Sequence, residues 1–129
     1  MFLKLFLQSI FAFLAIDSLW ITQVASPWMK KVVPHLMSAT PNLLAAGLFY
    51  IIYLSTLLYL IVMPALASKL PLDTLLTQSF LFGFAAYATY DLTNLAVMRG
   101  YTWSLAFADM FWGGILTMLT VLIVYRLNV

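Results

Sequence analysis

Apolar residues run along this chain in four long stretches, and polar residues gather between them or recur inside them at spacings of three and four. Each stretch is long enough to cross a hydrocarbon core of about 30 Å, which takes about 20 helical residues. The expected helices occupy residues 2–24, 42–63, 72–98 and 104–125. Their apolar character is continuous, not alternating, so helices are expected and a β-barrel is not. Pro64 suits the end of the second helix, residues 69–73 form a short turn, and Arg99-Gly100 stops the third. Tyr101 and Trp103 read as interface anchors, with Arg126 at the exit of the fourth helix. The expectation is an all-α integral membrane protein, a four-transmembrane-helix bundle forming a single domain over residues 1–129.

Between the first two stretches the pattern changes. Pro27, Pro34 and Pro41 punctuate it, and Trp28, Met29, Val32, Val33, Leu36 and Met37 recur at helical spacing opposite Lys30, Lys31, His35 and Ser38. This suits a short interfacial helix broken near Pro34. An irregular loop with snorkelling lysines accounts for the same residues equally well. Lys4, the apolar run after it and Val24-Ala25-Ser26 loosely mimic a signal peptide. The run leads into Asp17 and Trp20, however, and cleavage would leave three spans, so a retained first helix is expected.

Composition narrows the chemistry. Residues are 65% hydrophobic and 8% charged, which leaves little chain for a soluble domain. Without cysteine, disulfides, thiol catalysis and thiolate metal sites are excluded, and a single histidine excludes the usual multi-histidine centres. A net charge of +2 is too small to argue for nucleic acid. Lys4, Lys69 and Arg126 fall on the side of the chain termini, and Lys30, Lys31 and Arg99 on the opposite, loop side. That balance gives no orientation by the positive-inside rule.

All four acids are aspartates, and Asp73 sits in a turn. Asp17, Asp91 and Asp109 lie at depths of roughly 9 to 15 Å from the loop side, at about 1.5 Å per helical residue. Each has a partner three residues on, namely Trp20, Asn94 and Trp112, so the polar groups form stripes. Tyr87 and Gly83 extend the stripe of the third helix, and Gly113 and Thr117 that of the fourth, where small residues permit close helix approach. An ionised aspartate facing lipid near the bilayer centre costs about 2.5–3.5 kcal/mol. The three acids are therefore expected to face one another in a polar pocket open to the loop side, with Asn42 and Tyr50 completing its wall.

Four motifs carry a family resemblance. They are I-D-x-x-W (Ile16, Asp17, Trp20), P-N-x-x-A-A-x-x-F-Y (Pro41, Asn42, Ala45, Ala46, Phe49, Tyr50), Y-A-T-Y-D-L-T-N-L-A (residues 87–96) and D-x-x-W-G (Asp109, Trp112, Gly113). Together they resemble the family catalogued as domain of unknown function 2177 over nearly the whole chain. The resemblance implies a small multi-pass protein of the bacterial cytoplasmic membrane. It implies no activity, cofactor or catalytic residue.

Three uses of the polar stripes follow from their chemistry. They can hold helices together, with Asp17 and Asp109 accepting from the indoles of Trp20 or Trp112. They can bind a cation, proton or small solute: Asp17, Asp91, Asp109 and Asn94 offer oxygen ligands for a hard metal ion, while Trp20, Trp112, Tyr87 and Tyr90 offer an aromatic wall for an organic cation. Or they can act on a lipid or other hydrophobic substrate, with Asp91 and Asp109 as acid and base. The runs 57–62 and 119–124 are almost wholly apolar, which favours a one-sided cup over a channel. The bilayer is the expected partner, and the even charge count suits a homodimer or a larger membrane complex.

Overall fold

The computed structural model describes residues 1–129, which form four long helices and no strand. We label them α1 (Phe2–Val32), α2 (Leu43–Ser68), α3 (Leu72–Val97) and α4 (Trp103–Asn128). Three of them, α1, α2 and α4, are long and apolar enough to cross a membrane, where the sequence pattern predicts four such spans. Helix α3 has the required length, 26 residues. Its hydropathy falls short because Thr74, Thr77 and Gln78 crowd its first turns and Asp91, Thr93 and Asn94 its last. Of these, Asp91 and Asn94 are buried in the bundle.

Helices α1 and α2 run past their expected ends for one reason. Helix α1 continues past residue 24 to Val32, and α2 past residue 63 to Ser68. In each a widened, π-type turn, Ile21–Ala25 or Leu58–Val62, ends two residues before a proline, Pro27 or Pro64. A proline in a regular helix clashes with the carbonyl four residues back. A π-bulge changes that local spacing, and the chain carries each proline in the first turn after one. Residues 26–32 are thus a continuation of α1, not a separate interfacial helix. The break comes at Val33 (φ −132°, ψ 53°), before a single 3₁₀ turn at Pro34–Leu36. Helix α2 closes with Lys69 in the left-handed region and the Leu70 N–H returning 3.0 Å to the Ala65 carbonyl.

Packing is most extensive between α3 and α4, joined by a short turn in which Gly100 takes φ +88° and Thr102 caps α4 through the Leu105 N–H. Small residues bring these helices together. A Cβ on Gly83 would overlap the Gly113 carbonyl and Thr117, and one on Gly113 would overlap the Tyr87 ring. Helix α1 packs on α4 and on α2, whereas α2 meets α3 chiefly through Leu58–Val62. The loop-side halves of α2 and α3 therefore stand apart. A main apolar core, including Phe13, Leu54, Leu57 and Leu116, is joined by a smaller loop-side cluster of Val33, Tyr101, Leu105 and Ala106. Outside, Phe11, Leu44, Ile52, Leu81 and Phe111 are exposed, the surface of a protein solvated by lipid.

Candidate functional site

The site grows from two copies of one short pattern. Helices α1 and α4 run antiparallel, and each carries D-x-x-W. In that register the two patterns exchange partners. The Trp112 Nε1–H donates to Asp17 Oδ1 at 3.0 Å, and the Trp20 Nε1–H donates to Asp109 Oδ1 at 3.3 Å. Between the two bonds the indoles stack, with centroids 4.9 Å apart and planes 10° from parallel. Spacing makes this possible, because aspartate and tryptophan three residues apart share one helix face. The second oxygen of Asp17 receives the Tyr50 hydroxyl from α2 at 3.5 Å, so both of its oxygens are engaged and the residue is buried.

Asp91 enters from α3. The contacts of Gly83 with Thr117 and of Tyr87 with Gly113 set a register in which each step of four residues along α3 meets a step of four back along α4. One step further, that register sets Asp91 against Asp109 as a neighbouring carboxyl. Asp91 is completely buried. Its Oδ1 accepts the Tyr101 hydroxyl at 2.7 Å, and its Oδ2 has no donor from any side chain or backbone group. Asn94, also buried, sits one turn on, near the hydroxyls of Tyr90 and Tyr101. Val33, Leu105 and Tyr101 close the loop-side end over this group.

The three carboxylates are strung in a row, Asp17, Asp109, Asp91, with stacked indoles between the first two. They do not converge on a point, and no three acidic or histidine side chains are grouped to hold a metal ion. What the row does border is a cleft of about 310 Å³ where α2 and α3 stand apart. Phe49, Ala86, Tyr87 and Tyr90 form its walls, and half-buried Asp109 is its only charged lining residue.

Eight of the nine residues expected at the site, Asp17, Trp20, Tyr50, Tyr87, Asp91, Asn94, Asp109 and Trp112, belong to this connected group. Asn42 does not. It is exposed at the start of α2, where its side chain accepts the Ala45 N–H at 3.1 Å as a helix cap. Three residues join the group unexpectedly. Tyr101 reads as an interface anchor in the sequence but is a buried donor to Asp91. Tyr53 shares a hydrogen bond with Thr117, and its spacing of three from Tyr50 already places both on one face. Phe49 forms a wall of the cleft. The terminal-side half is less uniformly apolar than its longest runs suggest. Ser9, Ser79 and Thr120 are buried there, and the Asn128 amide reaches Gln8 at 2.7 Å.

No curated protein and no solved structure matches the chain. One family model does, described as predicted membrane protein and covering residues 2–126, all but the last two residues of the α1–α4 bundle and the whole carboxylate row. The chain belongs to that family, DUF2177.

Proposed function

We propose that this protein binds a small organic cation, or a cationic headgroup, in the cleft between α2 and α3. On this reading all four helices cross the bilayer, α3 turning Asp91 inward, and the ligand reaches Asp109 sideways from the loop-side half of the membrane. A bacterial cytoplasmic membrane is the setting this implies. The observation that carries the reading is the make-up of the cleft: one half-buried carboxylate among Phe49, Tyr87 and Tyr90. Aromatic faces attract a desolvated cation by about 2 kcal/mol or more, and a carboxylate at the same site supplies its counter-charge.

A cluster serving only to hold helices together accounts for Asp17, whose two oxygens are both bonded, and for the Asp109 oxygen that takes the Trp20 indole, but leaves the opening of Asp109 onto an aromatic cleft unused. The test is thermal unfolding in detergent of the wild type, Asp17→Asn and Asp109→Asn, with and without long-chain alkylammonium, divalent cations or phospholipid. Alkylammonium at a hundred times its Kd is expected to stabilise the wild type by about 2.7 kcal/mol. Asp109→Asn should fold and lose that response. The reading fails if no ammonium compound shifts the wild type, or if Asp109→Asn responds equally.

A further inference from the structure

Asp91 presents a problem of hydrogen-bond accounting. An ionised carboxylate has only acceptors, and burying one without donors costs several kcal/mol. The Oδ1 of Asp91 is satisfied by Tyr101, yet its Oδ2 is completely buried and faces no donor. On the facing helix the register sets against Asp91 the carboxyl of Asp109, another acceptor when ionised. Asp109 is in turn half satisfied, its Oδ1 taking the Trp20 indole. No cation faces the pair. The titratable groups around it are the hydroxyls of Tyr87, Tyr90 and Tyr101 and, beyond the stacked indoles, the carboxylate of Asp17. Arg99, the closest cation along α3, is exposed at the turn. A proton on one carboxyl turns the contact into a donor–acceptor pair and removes the orphaned atom.

We propose that Asp91 and Asp109 hold one proton between them, and that a cation arriving in the cleft displaces it. The second half rests on the function proposed above. The charges balance. With its proton the pair carries one negative charge. When a monovalent cation settles against Asp109, the O–H bond breaks, the proton leaves through the cleft, and the occupied site again carries one negative charge in total. The exit lies on the Asp109 side, because Tyr101 and Val33 close the other.

Infrared spectroscopy of the full chain in maltoside micelles tests both halves. At neutral pH the wild type is expected to show a protonated-carboxyl band that moves in D₂O. Asp91→Asn and Asp109→Asn are each expected to lose it while remaining folded, because the introduced amide supplies the missing donor. Asp17→Asn should keep it. Added dodecyltrimethylammonium should bleach the wild-type band and release a proton for each cation bound, read by an indicator dye in weak buffer. Absence of the band, or its survival in both Asp91→Asn and Asp109→Asn, overturns the shared proton. Binding of the ammonium with the band unchanged overturns the exchange alone. A band that obeys the three variants with no ammonium binding sinks the cation reading and the exchange together, and leaves the proton pair standing.

Discussion

Each carboxylate in the row has different neighbours, and their burial separates their roles. Asp17 is bonded on both oxygens and buried, so removing a donor there strands charge. Trp112→Phe, which keeps a stacking ring but deletes the N–H, is expected to cost about 1–3 kcal/mol. Trp20→Phe should cost less, because half-buried Asp109 borders an open cleft. Reversible unfolding in bicelles ranks the two, and equal losses would contradict the distinction. The sequence marks these residues well, since an acid in an apolar stretch demands a partner and the spacing of three names its face. It does not mark Tyr101. A tyrosine after a helix-stopping Arg-Gly looks like an interfacial anchor, and only the closure of the turn over α3 brings its hydroxyl to Asp91.

Helix number and order are legible from the four mainly apolar stretches, but the ends of α1 and α2 are not. Pro64 reads as the end of α2 because the rule against interior proline assumes regular turns, and nothing in L-Y-L-I-V announces a wide one. The approach of α3 to α4 was better signposted by Gly83 and Gly113. Gly113→Ala would drive a methyl into the Tyr87 ring, and since α3 and α4 share their whole length the strain cannot be shed locally. A loss of about 1–3 kcal/mol is expected, as for overpacking elsewhere. It should be measurable as a lowered Tm and as weakened alkylammonium binding, because Tyr87 also walls the cleft. Unchanged stability would mean the helices part more easily than their contact suggests.

At the scale of the molecule, the open question is how the bundle sits in the bilayer. Three helices meet the hydropathy a span requires, and α3 becomes a span only if Asp91 and Asn94 are hidden from lipid, as they are inside this bundle. Because the chain has no cysteine, single introduced cysteines report cleanly. Ser38→Cys and Arg99→Cys should react with an impermeant maleimide from one face of the membrane. Ser68→Cys and Val129→Cys should react only from the other. Labelling of Arg99→Cys and Ser68→Cys from the same face would mean that α3 does not cross.

The wide turn at Ile21–Ala25 has a consequence for how this chain tolerates change. Ile21, Thr22, Gln23 and Val24 are all exposed, so their identities are nearly free. Their number is not. Each helical residue turns the chain by about 100°, and a π-type turn absorbs one extra residue while keeping the helix faces on either side of it aligned. Below the turn Asp17 and Trp20 address α4; above it Trp28, Met29 and Val32 pack on the cluster of Val33, Tyr101, Leu105 and Ala106. Deleting any one of residues 21–25 would close the wide turn and put Pro27 into a regular helix, where its ring meets the carbonyl four residues back. The segment acts as a seat for that proline: almost any substitution passes unnoticed, and a single-codon deletion strains the cover over Asp91.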